Sequence, residues 1–228
     1  DRLEKTPADV ASQVEHRRAL ATAYRNLGAV LVETDNAAAE RAFVKARQLL
    51  VALHADRPNT RAIRQQLADV QLQLGALFAE RGVDQASDAE EWLTGAVDHS
   101  RALLNAGEDM ASRMTLAGAL HQLARLWDAQ DNRVAAQQTL TEALRTAQPL
   151  VKDDSASADC AGLLAEIVHT TGAWLARGEQ FGKARTYLLK AAELDEHSAK
   201  AESQNSTYRR HLAQDYRALC DVLVRLGE

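Results

Sequence analysis

The sequence predicts an all-α protein, a solenoid of about nine helices paired into antiparallel hairpins, forming a single domain over residues 1–228. Three observations predict it. First, Leu20-Ala21-Thr22-Ala23-Tyr24-Arg25-Asn26-Leu27-Gly28 returns as LADVQLQLG (67 to 75), LAGALHQLA (116 to 124), LAEIVHTTG (164 to 172) and LAQDYRALC (212 to 220), a spacing of 47 to 49 residues. Self-similarity at a near-fixed period marks units that bury their apolar faces on their neighbours. Second, Ala39-Phe43-Ala46 recurs between these stretches as Ala89-Leu93-Ala96, Ala136-Leu140-Ala143 and Ala184-Leu188-Ala191. Spacings of 4 and 3 put these residues on one helical face. Third, hydrophobic residues make up 46% of the chain but aromatic residues only 4%, and there are three prolines. Such a chain forms long uninterrupted helices, and it has no β-branched run with period-2 alternation.

The units run 8–56, 57–106, 107–153, 154–203 and a final half unit 204–228. Thr6 is an N-cap, Pro7 the first helical position and Asp9 a favourable charge at the positive end of the helix dipole. An apolar face of Val10, Val14, Leu20, Tyr24, Leu27 and Leu31 continues this first A helix to the turn Thr34-Asp35-Asn36. The first B helix is AERAFVKARQLLVAL (39 to 53), broken by Asp56-Arg57-Pro58-Asn59. Later A-to-B turns fall at Asp84-Gln85-Ala86-Ser87, Gln130-Asp131-Asn132 and Arg177-Gly178-Glu179-Gln180. Boundaries between units, each offering N-cap residues, fall at Asn105-Ala106-Gly107-Glu108-Asp109, Lys152-Asp153-Asp154-Ser155 and Gln204-Asn205-Ser206. The last unit is an A helix alone, stopped at Gly227, and Arg209, Arg210, Gln214, Asp215 and Arg217 give it the polar outer face of a cap.

Small residues close each A stretch, so Cys220, in the place of Gly28 and Gly75, is expected to be buried. Trp92, Trp127 and Trp174 are expected on core faces. Arg17, Arg64, Arg113 and Arg209 each stand three residues before the opening leucine, at the core edge. Their stems are expected to pack while their heads meet a carboxylate or a helix-end carbonyl.

Net charge is −5, with both signs interspersed, which argues against general nucleic-acid binding. No apolar run reaches the ~18 residues of a membrane span and no signal-peptide pattern opens the sequence. The sequence starts at Asp1 without a methionine, as a piece of a longer protein would. Low cysteine use points to the cytoplasm, or to the periplasm for part of a membrane-anchored sensor. There is no HExxH, GxSxG, phosphate-loop or CxxC motif. Glu166-Ile167-Val168-His169 is a lone ExxH, whereas a di-iron bundle needs two plus two further carboxylates. No catalytic residue, cofactor or metal ligand is therefore assigned, and a non-enzymatic protein is expected.

The units resemble tetratricopeptide repeats. Gly172, Ala184, Leu188 and Ala191 carry the family pattern, as do Leu123, Ala124, Ala136, Leu140 and Ala143, and Leu27, Gly28, Phe43 and Ala46. The resemblance implies a right-handed superhelix whose concave face binds extended peptides or helices. The family period is 34, so the surplus lengthens each helix by roughly two turns. Such long-period arrays are similar to those attached to bacterial signalling proteins, including serine/threonine kinases, with VALHADRPNTRAIRQQLADVQLQLG the most suggestive stretch.

If Leu20, Tyr24, Leu27 and Leu31 face the core, a rotation of about 100° per residue turns Arg25 and its equivalents to the groove. The candidate partner-binding residues are Arg25, His121, Arg125, Asp128, His169, Arg177, Arg217 and Arg225. Arginine forks suit carboxylates, so the expected partner is a protein or peptide with an acidic segment. His121 and His169 stand at equivalent positions and would add pH sensitivity or plain polar lining. The alternative is a sensor or self-assembly region that controls an attached catalytic domain, such as a kinase, through ligand binding or oligomerisation.

Overall fold

A computed structural model describes residues 7–152 and 157–228, without the side chains of residues 7–11 and 83. The expected caps at Thr6 and at Asp153-Asp154-Ser155 and the side chain of Val10 lie outside the described residues. Among the described residues there are nine α-helices and no strand: α1 (Pro7–Leu31), α2 (Asn36–Asp56), α3 (Arg61–Ala79), α4 (Ala86–Asn105), α5 (Met110–Ala129), α6 (Arg133–Ala147), α7 (Ala158–Arg177), α8 (Phe181–Ala201) and α9 (Ser206–Leu226). Single 3-10 turns at Val83–Gln85 and Gln148–Val151 join α3 to α4 and follow α6. No helix among these residues is long and apolar enough to cross a membrane.

Side-chain caps set the helix starts. Asp35 accepts from Ala38 N at 2.9 Å, Asp109 from Ser112 N at 2.9 Å, Asn132 from Ala135 N at 3.3 Å, Ser157 from Cys160 N at 3.3 Å and Asn205 from Thr207 N at 3.0 Å. Each satisfies an amide that has no partner within its helix. The stops are also built alike. Gly82, Asp131, Glu179 and Gly227 occupy one register position, with φ of 94°, 59°, 59° and 77°. At the last three, the next amide reaches back five residues, Asn132 to Trp127, Gln180 to Leu175 and Glu228 to Leu223, closing Schellman turns.

The chain gathers into two compact units, Asp1–Leu126 and Trp127–Glu228, with the boundary inside α5. In the first, α2 packs on α1 and α3, and α4 on α3. In the second, α7 packs on α6 and α8, and α9 on α8, with α7 touching α9. The triads Ala39-Phe43-Ala46, Ala89-Leu93-Ala96, Ala136-Leu140-Ala143 and Ala184-Leu188-Ala191 are all buried. Each glycine that closes an A stretch receives the large residue of its own triad. A Cβ on Gly28 would stand 2.6 Å from the Phe43 ring, on Gly75 2.5 Å from Leu93 and on Gly172 2.9 Å from Leu188. The large side chain lies directly on the A-helix backbone, and a fully buried Leu or Phe contributes about 1.5–3 kcal/mol.

Three core expectations are corrected. Cys220 is exposed, because no described helix seats a large residue on α9 there. Leu20 and Leu27 are 40% and 48% exposed, although their equivalents Leu67 and Leu74 are buried. Helix α2 covers α3, but no described helix precedes α1 to cover it, so Ala21 and Gly28 carry the buried face. Trp92, Trp127 and Trp174, expected on core faces, are half-buried, and Trp174 packs against the core of the second unit. Asp215, expected on the outer face of α9, is 1% exposed.

Of the arginine ladder, Arg64 donates to the Pro58 carbonyl at 2.9 Å and Arg113 pairs with Glu108, while Arg17 and Arg209 are exposed. Arg61, outside the ladder, donates to the Leu103 and Gly107 carbonyls at 3.2 and 3.0 Å and so ties off the end of α4.

Candidate interaction surface

The polar faces of the A helices are tied together side chain to side chain. In the first unit, Arg25 of α1 donates to Asp69 of α3 at 3.2 Å, and Gln66 donates to Thr22 at 2.7 Å. Asp69 Oδ1 also accepts from Gln65 at 2.8 Å and from Thr115 of α5 at 2.7 Å. Gln65 reaches α5 as well, its Oε1 lying 2.7 Å from Ser112 Oγ, whose one hydroxyl proton is shared with Asp109. The Ser112 donors hold the Asp109 carboxyl below the usual carboxylate range. Positions three and four residues apart share a helix face, which is why Arg18, Thr22 and Arg25, or Gln65 and Asp69, line one side.

In the second unit the same side carries a denser cluster. His169 Nδ1 of α7 lies 2.6 Å from Asp215 Oδ1 of α9, and His211 of α9 stands 3.6 Å from Glu166 of α7. Asp215 shares a hydrogen bond with Asp195 of α8, and both carboxyls are 1% exposed. Burial, and then the neighbouring Asp215 charge, push the Asp195 carboxyl up to about 8. Asp195 thus holds a proton at neutral pH and can donate it to Asp215. Tyr208 at the start of α9 donates to Asp159 at 2.8 Å, its ring lying against Gly162.

The eight expected partner-binding residues are not equally open. Arg25 is committed to Asp69, His169 to Asp215, and Asp128 and Arg177 to one another. Arg125 is exposed and donates to Gln122 at 3.2 Å. Arg217 and Arg225 are exposed with no bonded partner among the described residues. His121 is corrected from groove lining to interior, 3% exposed, because α5 is buried round most of its circumference.

Sequence reasoning missed Asp195, although its position extends the buried Ala184, Leu188, Ala191 series by four residues. It also missed the Gln65–Ser112–Thr115 links, since residues 47 and 50 apart carry no local signal. Within each unit the described helices pack on their neighbours in the chain, a packing consistent with a helical repeat. No family model matches the chain, and no curated protein matches it.

Proposed function

We propose that the chain is a non-catalytic protein-interaction module, a long-period tetratricopeptide-type array with a right-handed wind, whose A-helix face receives an extended or helical segment of an acidic partner. The observation that carries this reading is the pair Arg217 and Arg225. They stand on α9 in register with His169 and Arg177, exposed and free of carboxylates among the described residues in a chain of net charge −5. On that face of the second unit α7 is held to α9 by the His169–Asp215 contact, so it loses little freedom on binding, which lowers the cost of association. On this reading the array belongs to a larger signalling or regulatory protein.

The test is a displayed library of acidic peptides selected on the whole chain, then rebound to Arg217→Glu with Arg225→Glu. Selected peptides should lose at least about tenfold in affinity, the scale of one charge-assisted contact. Unchanged binding would remove α9 from the site. Self-association is a second reading, favoured by the exposure of Leu20 and Leu27 on α1. Light scattering of the Leu20→Glu, Leu27→Glu variant decides it, since a mass equal to that of the parent chain rejects this face.

A further inference from the structure

Two creases of the same register are built in opposite ways. The one formed by α2, α3 and α4 is plugged. The Arg47 guanidinium lies over the Trp92 ring at 4.5 Å. Arg81 straps across, 2.8 Å from Glu40 and 3.3 Å from Gln85, and lies over Phe78 at 5.0 Å. In the crease formed by α6, α7 and α8, Leu144 stands in the place of Arg47, Tyr187 in that of Trp92, Gly178 in that of Arg81 and Gln137 in that of Glu40. Neither the stack nor the strap can form. What is left is a cavity of about 430 Å³.

The lining of that cavity has a definite chemistry. Arg145 and Lys183 stand where the plugged crease has Gln48 and Asp88, and no aspartate or glutamate lines it. Arg145 is exposed with no bonded partner among the described residues, and Lys183 donates only to the neutral Gln180, at 2.9 Å. Leu140, Leu144, Leu175, Trp174 and Tyr187 supply an apolar and aromatic wall. The Trp174 Nε1–H is buried and has no acceptor among the described residues. A volume of this order suits a small ligand, and two cations without a counter-charge select an anion.

We propose that the α6–α7–α8 crease is a binding site for an aryl carboxylate, its acid group meeting Arg145 and Lys183 and its ring lying against Trp174 and Tyr187. The ligand is either a free small aromatic acid or the C-terminal aromatic residue of a partner chain, which presents the same two groups. The site is distinct from the Arg217 and Arg225 face.

The test uses the full chain with Trp92→Phe and Trp127→Phe, helicity checked, so that Trp174 alone fluoresces. It is titrated with 3-phenylpropionate and with the tripeptide acetyl-Ala-Ala-Phe, against 3-phenylpropanol and the tripeptide amide as uncharged controls. Saturable change with the acids, at Kd of about 10⁻⁴ to 10⁻³ M, is expected, and tighter binding of the tripeptide assigns the source to a chain end. Arg145→Gln with Lys183→Gln, both at exposed sites, should weaken the acids at least about tenfold and leave the alcohol unchanged. Leu144→Arg, which restores a plug, should abolish the change, while Arg217→Glu with Arg225→Glu should retain it. No saturation by about 10 mM, equal binding of the alcohol, or indifference to the double glutamine variant would each overturn the proposal.

Discussion

Replacing Asp195 by Asn should make the protein more stable at neutral pH and remove a pH dependence that the parent chain carries. In the folded chain burial and Asp215 raise the Asp195 carboxyl from 3.8 to about 8. The native state therefore keeps a proton that the unfolded chain releases once the pH passes 3.8. With more protons bound in the native state, the stability contributed by this group is present below 3.8, falls as pH rises between those two values and is gone above the folded one. Each pH unit in that window costs about 1.4 kcal/mol, so the parent chain should lose about 3 kcal/mol between about pH 5 and pH 7.5 through this group. The side-chain amide introduced by Asp195→Asn keeps a donor toward Asp215 and has no proton to lose. Urea unfolding followed by far-ultraviolet circular dichroism, run on both proteins across that range, isolates the effect as the difference between two profiles. Glu166 and Tyr208 are common to both and largely cancel, while Asp215, which shares the Asp195 proton, belongs to the measured difference. Parallel profiles would refute the reasoning, since they would mean that Asp195 is ionised in the fold.

Gly75→Ala should cost about 1–3 kcal/mol, because the new methyl meets Leu93 at 2.5 Å, and adding Leu93→Val should recover part of the loss in the same melts. Glu179→Gly should raise stability by about 0.5–1 kcal/mol, since φ of 59° strains any residue with a Cβ, whereas Glu179→Val should lower it. Asp69→Ala should destabilise more than Arg25→Ala, by about 1–2 kcal/mol against less than about 1, because Asp69 holds Gln65 and Thr115 as well as Arg25. His54 and His99 meet edge to face at 5.6 Å, and burial first, then Arg64 for His54 and the partner ring for His99, lower both below 6.5. Stability from this pair is present above 6.5 and lost as pH falls, so His54→Gln with His99→Gln should flatten the acid side of the stability profile.

The hairpins were legible because their determinants are local. A glycine in one helix and an Ala-large-Ala series in the next are spaced by the helix itself, and Gly28, Phe43, Gly172 and Leu188 sit where that spacing puts them. The exposure of Leu20 and Cys220 was not legible, since a repeat pattern does not say which copies have a neighbour. The site was readable only as a face. Whether Arg177 is free or paired to Asp128 depends on residues 49 apart, and the open crease emerges only when Leu144 and Gly178 are set beside Arg47 and Arg81. Asp215 shows the limit from the other side: a charge on a helix reads as solvent-facing until a protonated neighbour gives it a buried partner.

Within each unit the helices that touch are consecutive in the chain or one apart. No distant strand or terminus has to be found before a hairpin can form, so loop closure is short and folding of each hairpin is fast. The same connectivity has a mechanical side. Among the described residues a pull on the end of α9 meets α8 and α7 alone, so under load the second unit should give way in small successive steps at low force and re-form when the load is released.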